Sequence, residues 1–110
     1  MLVDSGDTDG AVSRAYYAML DAAKAALEMV DPQLAVAKTQ ATIIRRFGQS
    51  IIKAGHLDVS YGRTLSATQD FRRAADYERQ SVDAEKAREI VDRMDKFLAA
   101  VEAFVRSRQP

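Results

Sequence analysis

Residues 84–105 read AEKAREIVDRMDKFLAAVEAFV. Within them Ala84, Ala87, Ile90, Val91, Met94, Phe97, Leu98, Val101, Phe104 and Val105 recur at steps of three and four. At about 100° per residue, that spacing gathers them on one stripe of a helix. The stripe is broad enough to touch two neighbouring helices, which predicts the spine of an all-α bundle. Ser81 or Asp83 suits its N-cap. Asp83 and Glu85 at its start, with Arg106 and Arg108 at its end, complement the helix dipole.

The rest of the chain shows the same pattern. Five glycines and two prolines interrupt 110 residues, and no stretch alternates apolar and polar as a strand would. Residues 1–10 are turn-like, or a remnant of a preceding helix. Asp7, Thr8 or Asp9 is placed to cap the next helix. That first helix is expected over about Ala11 to Val30, with Val12, Ala15, Tyr16, Met19, Ala23, Ala26, Leu27 and Val30 on its inner face. Asp31-Pro32 ends it, because proline disfavours helix in the residue before it. Residues 33–38 read as a loop or a short turn. Thr39 caps a second helix running to about Ala54, with Ile43, Ile44, Phe47, Ile51 and Ile52 inward. Gly48 inside that helix costs about 1 kcal/mol relative to alanine, and close approach of another helix is the expected compensation. Gly55 suits the left-handed residue after the helix end. A third helix is expected over about Ser60 to Glu78. The whole reads as one helical domain over residues 1–110, an up-and-down bundle of about four helices.

Composition excludes several functions. Sixteen basic residues balance sixteen acidic ones, which argues against a surface coated for non-specific nucleic-acid binding but leaves room for a local basic patch. With no cysteine and one histidine, His56, disulfides and thiolate or histidine metal sites are not indicated, and no metal or cofactor is expected. No apolar run reaches membrane-spanning length and no signal-peptide pattern opens the chain. The expected location is the cytoplasm.

Two stretches combine arginine with tyrosine. Ser13-Arg14-Ala15-Tyr16-Tyr17-Ala18-Met19 puts Tyr16 on the apolar face and leaves Arg14 and Tyr17 on the polar side. Arg72-Arg73-Ala74-Ala75-Asp76-Tyr77 spaces Arg72 from Asp76, and Arg73 from Tyr77, by one turn. An Arg72–Asp76 ion pair has the less favourable order and little worth on a surface. Adjacent arginines hold a phosphate well, and a tyrosine stacks on a base or donates a hydrogen bond. From residue types alone, a binding cluster and a solvated helix face stay equally open for 72–77. A third basic pair, Arg45-Arg46, reads as solvent-exposed, and His56 as a carbonyl cap or a solvated side chain. No carboxylate pair, phosphate-binding glycine loop or Ser/His/Asp set stands out.

The stretch Ala11-Val12-Ser13-Arg14-Ala15-Tyr16-Tyr17-Ala18-Met19-Leu20 resembles the signature helix of HEPN domains. Arg72 to Tyr77, an Arg-x-x-Ala-Asp-Tyr pattern, resembles the second motif of that family, and the long helix ending Lys96-Phe97-Leu98-Ala99-Ala100-Val101 comes next in the same order. The resemblance covers residues 5–105 and is similar to the small stand-alone prokaryotic HEPN group. It implies a helical bundle that forms a homodimer. It also implies a minimal nucleotidyltransferase as partner protein, in a toxin–antitoxin-like module. Many members are metal-independent ribonucleases with an arginine followed four to six residues later by a histidine. Arg72 matches the arginine, but Asp76 or Tyr77 stands where the histidine is expected. Imidazole is the natural proton carrier near neutral pH. Tyrosine titrates near 10 and aspartate near 4. No residue is therefore assigned as catalytic. Members also have a full helix before the signature helix, of which residues 1–6 resemble only the last turn. A partner subunit is then expected to cover the exposed core face.

Three functions are indicated, in order. The first is a binding module for nucleotide, RNA or a nucleotidyltransferase partner, with Arg14, Tyr17, Arg72, Arg73, Asp76 and Tyr77 lining the site. The second is a ribonuclease toxin using Arg72 with Asp76 or Tyr77 in place of histidine. The third is a purely structural interaction subunit.

Overall fold

The computed structural model describes residues 7–78 and 82–109, with side chains described for 7–74 and 82–109. Among them every regular element is helical: α1 (Thr8–Val30), α2 (Gln40–Phe47), α3 (Val59–Glu78) and α4 (Ala84–Arg108). The all-α four-helix bundle expected from the periodicity is what forms. None of these helices is long and apolar enough to cross a membrane.

The helix ends obey local chemistry. Asp7 caps α1 by accepting from the Gly10 amide at 3.0 Å, so the helix begins at Thr8, three residues earlier than the apolar pattern suggests. Asp31 ends α1 in an extended conformation before Pro32, and its carboxylate accepts from the Gln33 amide. A 3-10 turn, Pro32–Ala35, occupies part of the expected loop. Thr39 caps α2 and Asp83 caps α4; Ser81 lies outside the described residues.

Two expectations for the second helix are corrected. First, the α-helical pattern stops at Phe47 and continues as a π-helical turn over Gly48–Ile52. Its wider bonding shows in Lys53 N–H donating to Gly48 O and His56 N–H to Ile51 O, both at 2.9 Å. Second, no helix approaches Gly48, where an added Cβ would meet nothing within 4 Å. The close approach falls on Gly62 of α3, where a Cβ would lie 3.1 Å from the Ile52 side chain. Gly55 does take the left-handed conformation expected of it (φ 85°).

Arg46 is also corrected. It is half-buried, and its guanidinium donates to the carbonyls of Leu34 (3.1 Å) and Val36 (2.9 Å), fastening α2 to the 3-10 turn. Arg45 remains exposed.

The 25 residues of α4, at 1.5 Å each, span about 37 Å, most of the 42 Å long axis. This helix is the spine, as its wide apolar stripe predicts. Its first half packs against the start of α1 through Ala11, Val12, Ala15, Val82, Ala87, Ile90 and Val91. The Asp9 carboxylate accepts from the Val82 amide at 2.9 Å and pins the two beginnings together. Further along, Phe97 meets Phe47 of α2 at 5.4 Å and Tyr61 of α3 at 6.1 Å. Tyr16, Met19, Leu27, Ile43, Ile51 and Leu65 complete this main core. Helix α3 runs against the direction of α4: Tyr61 lies at Phe97, while Phe71 lies under Lys86. That descent carries the second arginine motif back to the level of the first.

Candidate functional site: an arginine laid across two tyrosines

The local logic of α1 sets two tyrosines at different depths. Tyr16 falls on the buried face and is fully covered, whereas Tyr17, 100° further round, is 41% exposed. Their rings meet edge-on at 5.2 Å. From α3, half-buried Arg72 reaches across to both. Its guanidinium carbon lies 5.0 Å from the Tyr17 ring centre and 5.4 Å from that of Tyr16. It also donates to the Tyr17 hydroxyl at 3.0 Å. Residues 55 positions apart thus form a single centre. Contact of a guanidinium with an aromatic face is attractive, by about 0.5–1 kcal/mol at exposed sites and more where water is excluded.

The Tyr16 hydroxyl donates to Gln40 Oε1 at 2.8 Å. Burial pushes its pKa above the ordinary phenol value of 10, while Arg72, the Gln69 side chain and Arg73 work in the opposite direction. Tyr16 is therefore a neutral, oriented phenol near neutral pH. Its role combines the core packing expected of it with support of the arginine above it.

Gln40 and Gln69 are the members that motif reading does not reveal. Gln69 stands three residues before Arg72, on the same face of α3, so helical spacing was a usable signal. Gln40 reaches Tyr16 across 24 residues and carries no sequence signal.

The expected site residues separate into four groups. Tyr17 and Arg72 meet directly. Arg73 is exposed beside them and near enough to act on Tyr16 electrostatically. Arg14 is exposed, with no hydrogen bond or ion pair to the centre among the described residues. Asp76 and Tyr77 lie on the last turns of α3, and their side chains are outside the described residues. His56 is exposed, as one of its two readings has it, with its ring 5.1 Å from that of Phe104. That contact puts it toward the far end of α4, away from Arg72. Among the described residues no group of three His, Asp or Glu side chains is placed to hold a metal ion.

Chemically, the centre presents a cation of fixed orientation beside a solvent-facing phenol. A guanidinium carries five N–H donors in a planar fork that suits phosphate and carboxylate, and the bond to Tyr17 fixes how that fork is turned.

The HEPN domain family matches residues 1–104. A protein of Methanocaldococcus jannaschii named "Putative toxin MJ0605" is 32% identical over 90 residues, covering 80% of this chain and 63% of the relative. The chain thus spans less than two thirds of that protein's length. No solved structure matches the chain significantly. Since the family match runs through nearly the whole sequence, including both arginine–tyrosine stretches, the chain belongs to the HEPN domain family.

Proposed function

We propose that this HEPN protein is the binding and assembly component of a toxin–antitoxin-like module, recognising a phosphate-bearing ligand, a nucleotide or RNA, at the Arg72–Tyr17 centre. The observation that carries the reading is the Arg72 guanidinium laid across Tyr16 and Tyr17, which joins the two motifs in one half-buried, cationic and aromatic centre. Arginine meets phosphate, and Tyr17 stacks on a base or donates a hydrogen bond. Kinship with a protein named as a toxin supports the module type. A nucleotidyltransferase partner and a homodimer complete the proposal.

Ribonuclease chemistry is the weaker reading. It needs a proton carrier near neutral pH, and the one histidine lies against Phe104 rather than facing Arg72. The test uses a labelled oligoribonucleotide with wild type, Arg72→Lys and Arg72→Ala. Binding without cleavage, weakened about tenfold or more in Arg72→Ala, is expected. Cleavage that disappears in Arg72→Ala would establish the ribonuclease instead.

A second reading rests on Tyr17, the one aromatic among the exposed large hydrophobic side chains of the described residues. If its face is an assembly surface, Tyr17→Ala breaks complex formation in sedimentation while leaving RNA binding intact.

A further inference from the structure

The first turns of α3 carry a separate feature. Ser60, Thr64 and Ala67 recur at steps of four and three, so they form a strip of small side chains on one helix face. Across from them α4 presents Arg93 and Lys96, three residues apart. Short side chains facing long ones leave a cleft of about 370 Å³, also lined by Tyr61 and Arg63. That volume lies within the roughly 300–1,000 Å³ of small-ligand sites.

The lining is chemically one-sided. Three cations line it together with Ser60, Thr64 and Tyr61, and among the described residues no carboxylate lines the cleft itself; Asp58, at its rim, accepts from Ser60 and is near enough to Arg63 for the two charges to attract. Glu89 holds one edge of the Arg93 fork at 2.8 Å and thereby orients it. Arg63 and Lys96 make no ion pair among the described residues. In a chain of balanced charge, a cleft with this cation density attracts an anion. Fixed arginine and lysine donors with hydroxyls are the ordinary recognition set for phosphate. Tyr61 adds a half-buried ring, set edge-on to Phe97 (79° between planes, centres 6.1 Å apart), against which a planar base can pack.

We propose that the α3–α4 cleft is a second binding site, distinct from the Arg72–Tyr17 centre, that takes the phosphate of a nucleotide with its base against Tyr61. The nucleotide is either free or the 5′-phosphorylated end of an RNA strand. Arg63 and Lys96 neutralise the phosphate, Arg93 fixes its orientation, and Thr64 donates to a remaining oxygen.

The experiment is a two-dimensional amide NMR titration of the full chain, which locates binding residue by residue. The probes are AMP, ATP, a 5′-phosphorylated tetraribonucleotide and its 5′-hydroxyl counterpart. Saturable shifts at residues 60–67 and 93–97 are expected. Arg63→Ala and Lys96→Ala should each raise Kd about tenfold or more, the loss of a charged hydrogen bond. Both are exposed positions whose truncation leaves the core intact. Tyr61→Leu, which keeps an apolar contact for Phe97, should weaken binding severalfold, and Arg72→Ala should leave these shifts unchanged. Binding of AMP and ATP identifies a free nucleotide, whereas binding confined to the 5′-phosphorylated strand identifies an RNA end. The proposal is overturned if no probe gives saturable shifts in the cleft at millimolar concentration. It is equally overturned if the 5′-hydroxyl strand binds as well as the phosphorylated one, or if Arg72→Ala abolishes the shifts while Lys96→Ala does not. Failure of the Arg72 reading leaves a different record: cleft shifts persist and Arg72→Ala changes no binding anywhere.

Discussion

The contact between Arg72 and Tyr17 is testable without any ligand, by a double-mutant cycle. The interactions that Arg72→Ala removes include a charge-assisted hydrogen bond to Tyr17 and two guanidinium–ring contacts at 5.0 and 5.4 Å. Those interactions sum to a few kcal/mol at most, at about 1.5–3 for the hydrogen bond and about 0.5–1 for each ring contact. Solvent screening at a Tyr17 that is 41% exposed reduces the first of these. The expected loss of unfolding free energy is therefore about 2–3 kcal/mol. Tyr17→Phe keeps the ring and deletes only the hydroxyl acceptor, at about 1 kcal/mol. Because the hydroxyl is already unpaired in Arg72→Ala, the double variant should be less destabilised than the sum by about 1 kcal/mol. Urea denaturation at neutral pH measures all four proteins. Additivity within about 0.3 kcal/mol would refute the reasoning: the two side chains would then act independently, and the motifs would not form one centre.

Three further outcomes rest on particular contacts. Asp9→Ala leaves the part-buried Val82 amide without its acceptor at 2.9 Å, so stability should fall by about 1–3 kcal/mol and exchange of that amide should accelerate in hydrogen-exchange NMR. Gly48→Ala should raise stability by about 0.5–1 kcal/mol, since the backbone is helical (φ −58°, ψ −42°) and the added Cβ meets nothing; a loss in thermal denaturation would contradict that open space. Stability should also depend on pH through Tyr16, whose folded pKa lies above 10 because burial opposes its ionisation. Above 10 the unfolded chain releases this proton while the folded one retains it, so the contribution is complete below 10 and is lost as pH rises through the folded value. Denaturation monitored from pH 8 to about 11 should show this fall, with a shallower one in Tyr16→Phe.

Much of the architecture was readable along the chain because helices are local. The stripe from Ala84 to Val105 made α4 the spine, and Asp31-Pro32, Thr39, Gly55 and Asp83 marked boundaries through chemistry confined to a few neighbouring residues. Where the chain misled, a distant or cooperative choice intervened. Gly48 looked like a packing glycine, yet the tight approach fell on Gly62, because which face of α3 meets Ile52 is set by assembly and not by local spacing. Arg46 looked solvated until the 3-10 turn supplied two carbonyls for it.

The site divides along the same line. Residue types and order marked Tyr16, Tyr17 and Arg72 as residues of interest and the histidine as missing, and those are properties of sequence alone. That Arg72 lies across both tyrosines, that Gln40 steadies Tyr16, and that Arg63, Arg93 and Lys96 converge on one cleft belong to the tertiary structure. The physical reason is distance along the chain. Helical periodicity relates residues three and four apart, whereas these contacts join residues 24 to 56 positions apart across α1, α2 and α3, or bring two helices together at the cleft, and only the packing of the bundle brings them into reach.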